Sequence, residues 1–410
     1  MKKFLILFFI IIISIFVGYE NPKLVEIPKK YIKFYLKELG LVKSFVSDNK
    51  NISKDKLINN FELFFGNSFG LKILKIRDFD EITASVIFEI NENNQNIYNV
   101  FTQSGLKIRP NDLLEINLPI TFFNEQRMSG GVKSVFYFDN EYYALISEKQ
   151  NSCYFSSIIS LKDRRKIVKS DCLPDTKKID FSGLGGAFVK KENKILITIG
   201  VPTHSSEIIN NLAQLNSIFG KSILIDKNQL KQNIENTKTH NVYSRGHRNP
   251  QGLVINKNKI FSLEHGPQGG DELNEIIEGG NYGWPNASLG TRYKDGKSYP
   301  NSHTELSFKE PLYTFLPAIA PSSLNICPSN LQEYYINYDC LLGLSLRGMS
   351  IIIFLIKNDR VISVEKIFLN KRLRHFGLDQ ESKLFTDSDG NFFISADNEG
   401  LFKVKFEGFR

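Results

Sequence analysis

Residues 257–266, KNKIFSLEHG, place a polar turn ahead of a short run rich in alternating apolar residues that closes on a glycine. A period of two puts every second side chain on one face of an extended chain, so this is a strand with a turn in front of it. The same pattern returns as DNEYYALIS from Asp139, ENKILITIG from Glu192 and DGNFFISADNEG from Asp389. Their starts are separated by 53, 65 and 132 residues, the last interval close to twice the one before. Intervals this long suit the four-stranded blade of a β-propeller better than a solenoid repeat. Between the copies, SVIFEI, NIYNVF and SVFYFD continue the strand texture, separated by Asn, Asp, Gly and Lys clusters that read as turns. The expected fold class is all-β, a six-bladed β-propeller over residues 70–410; periodicity alone also accommodates five or seven blades.

Ahead of the strands the texture changes. The opening MKKFLILFFIIIISIFVGYEN sets two lysines before about fifteen apolar residues, the charge and hydrophobic pattern of an export signal. No small-x-small cleavage site follows, and the run is short of the ~20 residues of a membrane span. Residues 1–19 are therefore either a cleaved signal peptide or a retained anchor, and both readings place the protein in the periplasm or on the outer side of the inner membrane. KKYIKFYLKELGLVKSFVSD, residues 29–48, carries apolar residues at helical spacing, so a short N-terminal helix within a stalk or linker over 20–69 is expected.

Composition bounds the rest. At 41% hydrophobic residues over 410 the chain can bury a sizeable core and is not disordered. The formal charge of +8 comes from lysines spread thinly among Asn and Ile, with no arginine-rich run or aromatic-basic platform, which argues against nucleic acid as a partner. Four cysteines form two sequence-local pairs, read as bridges 153–172 and 327–340 in an oxidising compartment, or else as four buried thiols; their spacing matches no zinc motif.

One stretch departs from the Lys, Ile, Asn and Phe of its surroundings: GHRNPQGLVINKNKIFSLEHGPQGGDELNEIIEGGNYGWP, residues 246–285, which holds the sole tryptophan, Trp284. Gly, Pro, Arg, Asp and Glu around one apolar strand are what a site on loops requires, because sharp backbone and exposed polar groups are needed together. Arg248 and Asn249 supply donors on a loop held by Pro250 and Gly252. EHGPQGGDELN is oxygen-rich, with carboxylates at Glu264, Asp271 and Glu272 and carbonyls at Gly266 and Pro267, as Ca²⁺ requires, though it is not an EF-hand. Farther along, LSLRGMS carries Arg347, and NKRLRHFG sets Arg372 and Arg374 two apart, on one face of a strand. Aimed inward these would receive a multiply anionic ligand; as solvated surface charge they would do nothing.

GHRNPQGL, EHGPQGGDELN and GGNYGWP, in this order and spacing, closely resemble the soluble quinoprotein glucose, sorbosone and aldose dehydrogenases. The likeness extends more weakly over IAPSSL, LGLSLRGMS and KRLRHFGLDQESKLFTDSDGNFFISADNEGLFKV, covering most of residues 130–410. It implies a six-bladed propeller that uses pyrroloquinoline quinone (PQQ) and Ca²⁺, takes a sugar as substrate and passes electrons to an acceptor that the chain does not identify. Position by position, Arg248 and Asn249 would contact the quinone, Arg347 would stand where the family has a basic contact that is usually lysine, and Arg372 and Arg374 would hold cofactor carboxylates. The carbonyls of Gly266 and Pro267 would bind the Ca²⁺ that polarises the quinone, with Glu272 and Tyr282 at a second, structural Ca²⁺. The family's histidine base and its orienting aspartate are expected in DFSGLGGAFVKKENKILITIGV, where Ser182 or Gly183 and Val201 stand instead, and a cofactor-contacting Gln is replaced by Ser129. His204 and Asp180 are candidates for a replacement base, ahead of His375 and His265. The likeness thus implies an aldose dehydrogenase with a rearranged base or, alternatively, a non-catalytic propeller that binds carbohydrate or protein.

Overall fold

Strands dominate because β-branched and aromatic residues alternate with polar ones between turns that favour left-handed backbone. Positive φ at Asp139, Asn140, Glu192, Lys257 and Gly390 falls in the turns of the four repeats, where Asn, Asp and Gly tolerate that conformation at little cost. The computed structural model describes residues 61–66, 68–110, 113–115, 122–124, 129–174, 179–203, 205–233, 241–299 and 301–409. The signal or anchor segment, the expected helix over 29–48 and His204 lie outside them. No helix among the described residues is long and apolar enough to cross a membrane.

Four antiparallel sheets of four strands each follow one another in the chain. They comprise residues 132–169, 185–245, 250–315 and 321–368, which we number blades 2 to 5. A nine-stranded sheet supplies the other two. Blade 1 holds Thr83–Ile90, Asn96–Thr102, Leu106–Ile108 and Leu113–Glu115; blade 6 holds Leu373–Leu378, Phe392–Ala396 and Gly400–Phe409. The fourth strand of blade 6 comes from the other end of the described chain: Phe69–Arg77 pairs antiparallel with Gly400–Phe409, Ile73 opposite Val404. Phe61–Phe65 adds a further strand outside it, so sheet structure begins ahead of residue 70. Parallel pairing of Gly377 and Leu378 with Val86 and Ile87 joins blade 6 to blade 1. The first strands of successive blades touch one another around the ring, and the result is the six-bladed β-propeller.

Its core is divided into six apolar seams, one between each pair of neighbouring blades. Ala84, Ile87 and Phe101 meet Val132, Val135 and Ile146 between blades 1 and 2; Val254 and Leu263 meet Leu341 and Ile352 between blades 4 and 5. Both faces of every sheet are thereby covered, which is why the inner strands are more uniformly apolar than a sheet with one wet face. The repeat also carries a hydroxyl. Thr198 donates to the Pro250 carbonyl of the next blade at 2.9 Å, and Ser395 shares a 2.7 Å hydrogen bond with Thr83. These side chains tie the second strand of one blade to the first strand of the next. Cys153–Cys172 and Cys327–Cys340 are both disulfides, as the sequence pairing anticipated.

Candidate cofactor and substrate site

In an antiparallel blade, the start of the innermost strand and the turn between the second and third strands lie at the same end. That rule gathers the singled-out residues on one rim of the ring. Lys133, Asn249, Ala320 and Arg374 lie at or just before the starts of innermost strands; residues 265–270, 346–349 and 397–399 are turns between second and third strands. Deeper along the axis runs a narrow channel lined by Ser85, Gly186, Gln251, Ser323 and His375, among others, from the innermost strands.

Arg248 is held from four sides. Its backbone N–H donates to Glu264 Oε2 at 3.2 Å, its Nη1 donates to the His265 carbonyl at 3.2 Å, and its guanidinium lies 5.3 Å from the centre of Trp284 and 5.9 Å from that of Tyr293. Both rings add cation–π attraction. Burial lowers its pKa, with the nearby Tyr293, Tyr299 and Asp271 opposing, yet its buried Nε has no hydrogen-bond partner among the described residues. Asn249 Oδ1 accepts from Gly185 N at 3.1 Å and so fixes the junction of blades 3 and 4. Behind the loop, His247 stacks on Tyr282 and bridges Ser244 Oγ at 2.7 Å and Glu264 Oε1 at 3.1 Å. All three of His247, Ser244 and Glu264 are buried, so this relay supports the loop from beneath and faces no solvent.

The oxygen-rich loop divides its carboxylates between two tasks. Asp271 accepts from Gly266 N at 2.9 Å, Ile319 N at 2.7 Å and Ala320 N at 2.8 Å, and Glu264 is committed to the His247 relay. Both are engaged by N–H groups of the protein, which corrects the reading of the loop by composition: these two acids hold its shape. Among the described residues no backbone N–H bonds to the carbonyls of Gly266 or Pro267. Gly266 is required there, since an added Cβ would lie 2.0 Å from the Gly270 carbonyl oxygen. Glu272 stands directly across the strand pair from Glu264; burial, then the Glu264 charge, pushes its carboxyl up to about 8. The Tyr282 phenol donates to the Glu275 carbonyl at 2.5 Å and accepts from Ile277 N, leaving its own carbonyl as the only oxygen it has for a cation. Among the described residues no group of three or more His, Cys, Asp or Glu is arranged to hold a metal.

The arginines of the last blades differ from one another. Arg374 is buried and grips Asp397 with two bonds, Nε at 2.8 Å and Nη2 at 2.5 Å. Arg372 is exposed and reaches the same carboxylate at 3.5 Å; Arg347 is exposed in the turn after Asp339–Ser345. Asp397 thus offsets part of the arginine charge, a partner that neither the anion-receptor reading nor the surface-charge reading of the sequence included. Two further groups lie on this rim: His265, which the sequence offered only as a minor candidate base, and Lys133, which it did not single out. His265 is half-buried, with Nε2 buried and unpaired, and burial followed by the Arg248 charge pulls its imidazole down to about 3. Lys133 is 6% exposed, carries no hydrogen bond to its amine among the described residues, and lies within electrostatic reach of Arg374, Asp180 and Asp397. The signal for Lys133 was available: it is the single charge in VKSVFYF, an otherwise apolar and aromatic innermost strand.

Asp180 sits across from Lys133 at the head of blade 3. It caps the turn Phe181–Gly183 by accepting from Ser182 N, and it accepts from Ser129 Oγ at 2.8 Å. Ser129 in turn accepts from Phe181 N at 2.7 Å. Val201 is fully buried and its N–H donates to the Arg248 carbonyl at 2.7 Å.

The family model of the glucose/sorbosone dehydrogenases matches residues 158–399, more than half the chain. The chain belongs to that family. Within the glucose/sorbosone dehydrogenases it is 51% identical to quinoprotein glucose dehydrogenase B of Acinetobacter calcoaceticus over 59 residues, 14% of this chain and 12% of that protein. It is 29% identical to an aldose sugar dehydrogenase of Escherichia coli over 171 residues, 40% of this chain and 43% of that one. The matched stretches span less than half the length of the curated relatives. The crystal structure of the soluble E. coli aldose sugar dehydrogenase in its apo form superposes with a TM-score of 0.65 at 20% identity, covering 82% of this chain and 99% of that one. Fold and family therefore agree over the ring.

Proposed function

We propose that this glucose/sorbosone dehydrogenase family member is an exported, PQQ- and Ca²⁺-dependent oxidoreductase that oxidises the C1 hydroxyl of an aldose. The observation that carries the reading is the rim itself: a buried Arg248 with an unpaired Nε, a His265 with an unpaired Nε2, and carbonyls of Gly266 and Pro267 that no N–H occupies. Buried polar atoms are rarely left unpaired unless something else completes them. A planar anion with carboxylates and ring acceptors fits the first two, and an oxygen-seeking cation fits the third.

Arg248 and Asn249 would hold the quinone face, Arg347, Arg372 and Arg374 its carboxylates, and Gly266 and Pro267 the catalytic Ca²⁺. Glu272 and the Tyr282 carbonyl would serve the structural Ca²⁺; a cation there would displace the proton that burial favours on Glu272. When bound, PQQ supplies the two-electron acceptor that no side chain of this protein provides. The protein's own part is to orient the sugar, to exclude water and to remove a proton. Electrons would leave through an external acceptor, and the N-terminal segment would direct export or attach the protein to the membrane.

A second reading, a propeller that binds carbohydrate or protein without turnover, is favoured by Ser182, Gly183 and the buried Val201 at the positions where the resemblance implies a base and its acid. One titration separates the two. Adding PQQ to purified protein with and without Ca²⁺, while following the quinone spectrum and Trp284 fluorescence, is expected to show calcium-dependent binding; aldoses and a redox dye then report turnover. Absence of binding at micromolar PQQ would overturn the oxidoreductase reading.

A further inference from the structure

We propose that Lys133 is the general base that takes the proton from the hydroxyl group being oxidised. The inference rests on the oxidoreductase reading above and goes beyond it in naming the base. A catalytic base must be buried enough to be reactive, free of protein partners that would occupy its lone pair, and close to the place where the substrate sits. Lys133 meets the first two conditions, being 6% exposed with no hydrogen bond to its amine among the described residues. Its position meets the third. It is the second residue of the innermost strand of blade 2, on the rim that carries Arg248, His265 and Arg374, and both His265 and His375 feel its charge.

The neighbouring blade explains why the lysine reaches this place. A Cβ added to Gly186 would lie 3.2 Å from Ser134 Oγ and 3.5 Å from the Lys133 carbonyl, so the backbone of blade 3 passes close beside Lys133 just after the turn Phe181–Gly183. Phe181 of that turn is packed into the seam between blades 2 and 3, and the turn's other two residues, Ser182 and Gly183, are small. The charged groups facing Lys133 are Arg374, Asp180 and Asp397. Desolvation, followed by Arg374, lowers the amine to about 8, while Asp180 and Asp397 oppose; Asp397 is already gripped by Arg374. An amine poised near neutrality is a better base than an ordinary lysine or an aspartate. The candidates Asp180 and His265 then have other tasks. Asp180 caps the turn and faces the amine, and His265 sits against the Ca²⁺ loop.

The step balances. The substrate O–H bond breaks and its proton passes to Nζ, giving an ammonium; the oxygen's electron pair forms the C=O bond; the C–H pair leaves as hydride to the ortho-quinone acceptor. Return of the proton to solvent restores the amine.

The test compares Lys133→Met and Lys133→Arg with the wild-type protein. Methionine keeps the length of the side chain and removes its charge; arginine keeps the charge and stays protonated, so it cannot serve as a base. The expected result is a loss of kcat of roughly 10²- to 10⁴-fold in both, with PQQ affinity by absorbance titration unchanged within threefold in K133R. Added methylamine is expected to restore turnover in K133M. Independently of turnover, competitive labelling with acetic anhydride, read by mass spectrometry on the Lys133 peptide, is expected to titrate near 8 and to be suppressed by PQQ with Ca²⁺. Wild-type turnover with K133M or K133R keeping more than a tenth of kcat overturns the base assignment alone, as does loss of PQQ binding in K133M that K133R restores together with turnover. Wild-type protein that binds no PQQ overturns the oxidoreductase reading and this inference with it.

Discussion

Arg374 and Asp397 show how much depends on a single buried carboxylate. Removing one partner of a buried pair leaves an uncompensated charge, which costs about 3–5 kcal/mol, whereas an exposed pair costs under ~1 kcal/mol. Urea denaturation of D397A is expected to show the larger loss, and R372A, whose arginine is exposed, almost none. His375 makes a prediction about pH. Burial, then the Arg374 charge, holds its imidazole at about 3 with Asp397 opposing and Lys133 adding to the shift, well below the ordinary value of about 6.5. The folded protein therefore resists protonation that the unfolded chain accepts. The stability this implies is complete above pH 6.5 and is lost as the pH falls toward 3. Between pH 7.5 and 5 the unfolding free energy of the wild type, from urea denaturation, is expected to fall more than that of H375Q, by a difference on the order of 1–2 kcal/mol after discounting for partial exposure. A fall of equal size in both would remove His375 from the account. None of these pairings was legible in the sequence, because Arg374 lies in one strand and Asp397 in the turn that follows the next, and nothing in NKRLRHFG states that a carboxylate waits opposite.

The strands themselves were far more legible. Alternation and polar turns gave the repeats from Asp139, Glu192, Lys257 and Asp389, and each starts at the turn that joins the first to the second strand of its blade. Blade 5 does not show the pattern as clearly, since SIIIFLIK is buried on both faces and reads as a continuous apolar run. The cysteine pairs were readable because each encloses a short loop: 19 and 13 residues separate the partners. Bridges of this span contribute about 2–4 kcal/mol, chiefly by restricting the unfolded chain. C327S/C340S is expected to lower the denaturation midpoint by a corresponding amount while leaving PQQ titration unchanged, as the bridge lies beside Ser329–Tyr334 and away from the rim. A double variant as stable as the wild type would contradict this. Where sequence reasoning stopped was at the loop carboxylates. Composition marks Glu264, Asp271 and Glu272 alike, and only the fold shows that Asp271 accepts three backbone N–H groups, that Glu264 is shared among Arg248 N, His247 and Asn274, and that the Glu272 carboxylate, among the described residues, has a single contact, from Asn274.

For the molecule as a whole, closure of the ring decides stability. Phe69–Arg77 fills the outer place of blade 6, where Phe69, Leu71 and Ile73 are buried against Phe402, Val404 and Phe406. Deleting residues 61–78 is expected to strip that seam, leave Gly400–Phe409 as an open edge and yield aggregated or partly folded protein by size-exclusion chromatography and near-ultraviolet dichroism; a monomeric, cooperatively unfolding product would refute the role of this strand. The sequence suggested the number of blades but not how the ring is sealed, because no local pattern links residue 73 to residue 404. That distance has a consequence in time. Ribosomes add about 5–20 residues per second, so Phe69–Arg77 is synthesised on the order of 20–60 seconds before its partner exists. Throughout that interval an apolar strand has no place in the ring, and the protein depends on whatever shields it until the last strand emerges.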